Sequence, residues 1–498
     1  MREYANYIQG EWVPAASGRT IKSTNPATGE TVATVAGSSR EDVDRAVSAA
    51  RGAFRTWRKV PAPKRGEVLY RVGQLLMDRK EEIARLMTQE MGKVLAEARG
   101  DVQEGIDMAF YTAGEGRRMF GVTTPSEMPE KFQMAVRDPI GVVAAVTPWN
   151  FPMAIPTWKL MPAILAGNTV VFKPASDTPS VAAELVRVFA DAGLPPGVLN
   201  FVTGSGPEVG DYLINHPEVD VISFTGSTET GARVVSQTAG KNKKISLEMG
   251  GKNAIMVLED ADLDLAVEGI LWSGYGTTGQ RCTACSRLIV HEDVREPLTR
   301  KLLARIEKLK LGNGLEPDTD VGPVINARQR DSIHQYVQIG QEEGAELLIG
   351  GEIPQGDGLA DGSFYAPTLF GNVRPEMRIA QEEIFGPVIS MLTVRGLDEA
   401  IAVNNATPFG LSSSIYTQNV HRAFEAMRDV TTGILYINAG TIGAEVHLPF
   451  GGTRGTGNGH REGAAWTALD VFTEWKSIYV DYSGKLQRAQ IDEFEHGA

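Results

Sequence analysis

The sequence predicts an α/β protein built from two doubly wound parallel-sheet domains, and three observations carry that expectation. At 498 residues the chain is too long for one hydrophobic core. After Pro139, short apolar runs rich in β-branched residues alternate with stretches of helical periodicity, the pattern of a parallel sheet covered on both faces. A second series of the same kind follows Gly250-Gly251, which sets the expected boundary between the two sheets.

The first expected element is a helix from Ser38 to about Arg55. Val43, Ala46, Val47, Ala50 and Phe54 recur at helical spacing, and Ser38 with Glu41 makes an S-x-x-E capping box. Pro61 and Pro63 break the pattern, and further amphipathic helices are expected at about Arg65–Arg79, Glu81–Met91 and Ala96–Tyr111. The alternating part supplies strands at Ile140–Val146, Thr169–Phe172, Leu199–Val202, Asp220–Phe224 and Ala254–Leu258, with helices such as Pro179–Ala192 and Glu229–Ala239 between them. The later series reads as the strand Arg287–Val290, helices Val294–Leu309 and Ala327–Glu343, and strands Ile389–Val394 and Ser413–Tyr416. No internal repeat is evident.

Composition excludes several classes. A formal charge of −13 without any basic stripe argues against a nucleic-acid partner, and Lys241–Lys244 and Arg117-Arg118 read as solvated surface. Met1–Trp12 holds Glu3, Gln9 and Glu11 and no apolar h-region, so no signal peptide is expected. No stretch approaches the ~20 apolar residues of a membrane span, and a cytoplasmic enzyme is the default expectation. The only cysteines, Cys282 and Cys285, offer no disulfide framework and a poor zinc site. No metal is expected, while a C-x-x-C redox pair stays open on spacing alone.

Four segments carry candidate chemistry. Gly226-Ser227-Thr228-Glu229-Thr230-Gly231 follows a strand and opens a helix, where backbone N–H groups can approach a pyrophosphate; the plain alternative is a tight βα turn. Cys282 lies in the glycine-flanked run Tyr275–Thr283 and is either an accessible nucleophile or a buried structural thiol; Cys285 is assigned to the structural role. Glu248 stands between an apolar strand and Gly250-Gly251, as a poised base or a surface charge. Asn150, in Thr147-Pro148-Trp149-Asn150-Phe151-Pro152, can donate its amide to an oxyanion.

Together these segments resemble the aldehyde dehydrogenase superfamily, from about Ile8 to Ser477 and with the semialdehyde dehydrogenases among its nearest branches. The Glu248 and Cys282 motifs match the family's active-site patterns and stand 34 positions apart, as they do there. The resemblance implies that the Cys282 thiolate attacks an aldehyde, that Asn150 and the Cys282 N–H hold the oxyanion, and that Glu248 activates the water releasing the acid from a thioester. It assigns the cofactor, NADP or NAD, to Lys173 in Phe172-Lys173-Pro174-Ala175, to Gly226 and Ser227, and to Glu383 and Phe385 in Glu383-Ile384-Phe385-Gly386-Pro387. Thr147, Trp149 and Met249 flank the same cofactor site. Pro449-Phe450-Gly451-Gly452 and Phe472-Thr473-Glu474 match as well. Many NAD-preferring relatives carry glutamate where this chain has Ser176; serine neither binds the ribose hydroxyls as a carboxylate does nor repels a 2′-phosphate, so NADP acceptance is expected.

The substrate side is read from fewer residues. Arg281, directly before Cys282, resembles relatives acting on aldehydes with a distal anion: 2-oxoglutaric semialdehyde, aminoadipic semialdehyde, or glyceraldehyde 3-phosphate oxidised without phosphorylation. A guanidinium suits a carboxylate or phosphate, and the alternative is a structural ion pair. Glu104, in a Val-Gln-Glu segment, and Glu445, in the entrance loop Asn438–His447, resemble the aminoadipic enzymes and would favour an amino-bearing substrate if they lined the pocket. Phe151, Trp158 and Phe450 are expected to wall the cavity, and Gly276 to widen it. The run Gly455–Arg461 departs from the family's shorter Ser-Gly-x-Gly-Arg. The resemblance implies a cofactor domain over 1–122 and 141–250, a catalytic domain over 251–453, a return segment 454–476, and a β oligomerisation arm from 123–140 and 477–498. In that arm Phe132–Val136 and Ile478–Tyr482 read as strands. Such arms pair subunits into homodimers or homotetramers. A cysteine hydrolase or acyltransferase would leave Lys173 and Glu383–Pro387 unexplained, and a CoA-acylating dehydrogenase would leave Glu248 unexplained.

Overall fold

The computed structural model describes residues 2–356 and 358–491. Two seven-stranded sheets dominate. The first runs Lys244–Glu248, Val221–Thr225, Val142–Val146, Thr169–Lys173, Leu199–Phe201, Asn6–Ile8, Glu11–Val13; its first five strands are parallel and the N-terminal hairpin closes it antiparallel. The second runs Glu346–Ile349, Thr368–Gly371, Val388–Val394, Cys285–His291, Asn253–Val257, Ser412–Tyr416, Ile434–Ile437, parallel except at Glu346–Ile349. The central strands are mostly apolar and buried on both faces, as a helix-covered parallel sheet requires. The doubly wound α/β expectation therefore holds. Met249–Lys252 links the last strand of the first sheet to the first strand of the second.

Several elements differ in detail. The first helix spans Arg40–Trp57, and its capping box is Ser39 with Asp42, not Ser38 with Glu41. Both pairs have the right spacing, but Ser38 is buried and committed elsewhere: its hydroxyl donates to Asn6 Oδ1 at 2.7 Å and accepts the Thr203 N–H. The two helices expected between Arg65 and Met91 are one, Ala62–Met91, because nothing between them breaks a helix; it ends at Gly92, whose φ of 96° only glycine adopts freely. Near its end the buried Glu90 accepts the N–H groups of Ser180 and Val181 at 2.8 and 3.0 Å, so that this helix caps Pro179–Asp191 from outside. The run Lys241–Lys244 is not simply solvated. Lys243 and Lys244 are half-buried, and their ammonium groups donate to the carbonyls of His216 and Val219 and of Thr473.

A three-stranded antiparallel sheet stands apart, formed by Val122–Pro125, Lys131–Pro139 and Thr473–Asp481. It leaves Phe132, Trp475 and Tyr479 exposed. Residues 492–498, which the sequence also assigns to the arm, lie outside the described residues. Among the described residues no helix is long and apolar enough to cross a membrane.

Candidate active site

The helix Leu263–Tyr275 runs into a tight turn, Gly276–Gly279, just before Cys282. Thr277 and Thr278 both take left-handed backbone, φ 51° and 57°. For β-branched residues this conformation costs about 1–3 kcal/mol each and survives only where neighbours enforce it. Cys282 is half-buried, and its carbonyl accepts the Asn253 amide at 2.7 Å. Cys285 is buried in the core of the second sheet, its Sγ donating to the Arg287 carbonyl. The two cysteines thus have different surroundings, and Cys282 lines a cavity.

That cavity, about 120 Å³, is walled by Phe151, Trp158 and Phe450, with the Trp158 and Phe450 rings edge to face at 5.0 Å. Glu248 lines it at the end of its strand. It is buried, and neither carboxylate oxygen has a hydrogen-bond partner among the described residues. Burial, then the nearby Glu462 carboxylate, lifts the Glu248 carboxyl well above the usual carboxylate range, while Lys159 and Arg461 oppose the rise. Burial pushes the Cys282 thiol up to about 12, with the Glu383 and Glu248 carboxylates adding to the effect. Asn150 is buried and donates its Nδ2 to the Gln280 carbonyl at 3.0 Å, two residues before Cys282.

Most residues expected around a cofactor lie at the C-terminal ends of the first sheet's strands, where ligands of open α/β sheets bind, while Glu383 and Phe385 come from the segment before Val388–Val394 of the second sheet. Ser227 caps the helix Thr228–Thr238, its hydroxyl accepting the Thr230 N–H. At Gly226 a Cβ would stand 2.6 Å from the Phe224 ring, so the close approach requires glycine. Lys173 is buried, and that burial pulls its ammonium down to about 8 against the attraction of Asp177 and Asp211. Ser176 donates to the Gly204 carbonyl at 2.9 Å. Thr147 donates its N–H to the Lys173 carbonyl, and the Trp149 ring meets Phe385 edge-on at 5.4 Å. The Met249 N–H donates to the Thr456 carbonyl at 2.7 Å. Glu383 accepts the Gly251 N–H at 2.9 Å, and burial raises its carboxyl to about 7.

On the substrate side, Arg281 and Glu104 both line the cavity. Arg281 is also an ion-pair member, as the alternative reading had it: it meets Glu97 at 3.2 Å and lies against the Phe151 and Trp272 rings, 5.2 and 5.1 Å from their centroids. Burial raises the Glu104 carboxyl to about 8. Glu445 is exposed and paired with His447; the entrance loop turns Gly443 and Ala444 to the cavity instead. Gly276 does not widen the cavity either, because a Cβ there would meet Glu97 Oε1 at 3.0 Å. The run Gly455–Arg461 belongs to Glu248 more than to the entrance: Asn458 accepts the Leu247 N–H at 3.0 Å and donates to the Ile245 carbonyl at 2.7 Å.

Reading the sequence missed Lys159, Glu462 and Glu97. Lys159 and Glu462 form a buried ion pair beside Glu248, with Lys159 also donating to Ser223 at 3.1 Å. A lysine inside the apolar helix Ala154–Ala166 was the available signal, since such a charge is buried only with a partner.

A thiol and a buried carboxylate face one small cavity beside a row of parallel-strand ends, and the class this defines is an enzyme on a dinucleotide-type scaffold. Over residues 12–478 the chain matches the Aldehyde dehydrogenase family, and it belongs to that family. It is 42% identical over 478 residues to an alpha-ketoglutaric semialdehyde dehydrogenase of Bacillus subtilis (strain 168), covering 96% of this chain and 98% of that protein. A glutarate-semialdehyde dehydrogenase of Pseudomonas putida is 42% identical over 474 residues, covering 95% of this chain and 97% of its own. Among solved structures, betaine aldehyde dehydrogenase from Staphylococcus aureus in complex with NAD+ matches with a TM-score of 0.95 at 34% identity, over 99% of this chain and 97% of that one. The expectation of an aldehyde dehydrogenase is borne out.

Proposed function

We propose that the chain oxidises a semialdehyde with an anionic tail, of the 2-oxoglutaric type, to the acid with NADP or NAD. The observation that carries this reading is Arg281 lining the same small cavity as Cys282. The Bacillus and Pseudomonas relatives are semialdehyde dehydrogenases, which points the same way. Cys282 attacks the aldehyde carbon as thiolate, and its own N–H with the Asn150 amide holds the oxyanion. Glu248 takes the proton of the water that cleaves the resulting thioester.

The residues present fit a dinucleotide. Ser227 leaves a helix N-terminus open to a pyrophosphate, Lys173 is a buried cation with no carboxylate in hydrogen-bond contact among the described residues, and Glu383 is a tethered carboxylate facing the Gly250-Gly251 turn. When bound, the nicotinamide accepts the hydride. In this reading 1–122 with 141–250 holds the cofactor, 251–453 carries the nucleophile, and 454–476 returns to the first sheet. The exposed faces of 123–140 and 477–491 pair copies into a homodimer or homotetramer.

An assay with glutarate semialdehyde and uncharged pentanal, following reduced cofactor, tests the substrate. Arg281→Leu lowers the ratio of kcat/KM for the charged over the uncharged aldehyde about tenfold to hundredfold, the value of one charged hydrogen bond. An unchanged ratio overturns the anionic tail. Glu104 supports a second reading, an amino-bearing semialdehyde of the aminoadipic type, since it lines the cavity. A preference for aminoadipic over glutaric semialdehyde that is lost in Glu104→Gln would establish it.

For the cofactor, NADP is accepted at Ser176. Ser176→Glu lowers kcat/KM for NADP by about tenfold or more while sparing NAD, because a carboxylate repels the 2′-phosphate. A wild-type NAD preference of about a hundredfold or more would sink the expectation.

A further inference from the structure

We infer that Glu97, which touches none of the reacting atoms, positions Cys282 by holding the Thr277 turn in its left-handed backbone. Glu97 is buried on the helix Leu95–Glu115. Its two carboxylate oxygens accept the single Thr277 N–H at 2.8 and 3.0 Å. One of them also accepts from the Arg281 guanidinium at 3.2 Å, and Arg281 Nε donates to Thr277 Oγ1 at 3.0 Å. Glu97, Thr277 and Arg281 thus close a ring of hydrogen bonds, and the next residue after that ring is Cys282. Gly276 leaves the room the carboxylate occupies.

The ring has a physical task. Thr277 and Thr278 are both β-branched and both left-handed, so the turn relaxes toward ordinary backbone unless it is held from outside. Thr278 is held by its own hydroxyl, which donates to the Gly322 carbonyl at 2.9 Å. Thr277 is held by Glu97, through hydrogen bonds strengthened by the carboxylate charge. Relaxation at residue 277 moves the nucleophile five residues later, and misplacement by about 1 Å is enough to cost about a hundredfold in rate. Glu97 is accordingly a positioning residue, acting through the Thr277 amide and through Arg281.

The inference rests on Cys282 as the nucleophile, and its test needs no aldehyde oxidation. Iodoacetamide, small and uncharged, alkylates an accessible thiolate, and peptide mass mapping separates Cys282 from the buried Cys285. In the full-length protein, Glu97→Gln slows Cys282 alkylation about tenfold, with a melting midpoint within about 4 °C of wild type. Adding Thr277→Gly, which adopts left-handed backbone without strain, returns the rate to within about threefold of wild type. A merely structural loss would not be repaired by a glycine. Should Glu97→Gln not fold, Glu97→Asp, too short to span to the Thr277 amide, is measured with the same rescue. Unchanged alkylation, or slowed alkylation that Thr277→Gly fails to restore, overturns the proposal. A protein inert to every aldehyde yet showing the slowing and the rescue would sink the dehydrogenase mechanism and leave the positioning role standing.

Discussion

Glu248→Gln gives a single burst of reduced cofactor, one per Cys282, and then a steady state slower by about a thousandfold, within the usual worth of a general base. The burst survives because the thiol, the oxyanion donors and the cofactor residues are untouched; only the water step loses its base. The sign of the pH dependence follows from the buried position of Glu248. Burial and Glu462 raise its carboxyl, so the proton stays on at a pH where a solvent carboxylate is already ionised. The basic form accumulates as pH rises, and the deacylation rate climbs with pH above the range in which a solvent carboxylate ionises. In Glu248→Gln that limb flattens. Stopped-flow measurement of burst and steady state across pH checks both points, and full steady-state turnover in the variant would remove Glu248 from the role.

Asn150→Ala lowers kcat by about a hundredfold to a thousandfold, the cost of deleting one oxyanion donor, with little change in KM. The amide already donates to the Gln280 carbonyl, so it is held at the level of the Cys282 loop before any substrate arrives. The second hydrogen on the same nitrogen remains for the oxyanion. Loss of that donor weakens the charged tetrahedral state more than the neutral aldehyde, hence the effect on kcat. An equal rise in KM with kcat intact would place Asn150 in substrate binding instead.

Much of the fold was legible because it is written in local pattern. The runs 142–146 and 254–257 are uninterrupted and apolar, and only a sheet covered on both faces buries such runs. Glu248 and Cys282 were legible as a pair through the family resemblance of their motifs, although alone Cys282 reads better as a buried structural thiol and Glu248 as a surface charge. Legibility stopped where the deciding contact is distant in sequence. Gly276 suggested open space, yet a glutamate from position 97 fills it. Glu445 suggested a pocket carboxylate, yet loop geometry turns Gly443 and Ala444 inward. The S-x-x-E pattern pointed to Ser38 with Glu41, and burial of Ser38 against Asn6 left the cap to Ser39 with Asp42.

The strand carrying Glu248 lies at the edge of its sheet, and what fastens its outer side comes from the other end of the chain. Asn458 bonds to the backbone of residues 245 and 247, and the Thr456 carbonyl receives the Met249 N–H. During synthesis both parallel sheets emerge from the ribosome before residue 456 does. A nascent chain therefore owns its thiol, its glycine turns and its first sheet while Glu248, the base in the proposed mechanism, is still unfastened. Biosynthesis completes the turnover machinery last.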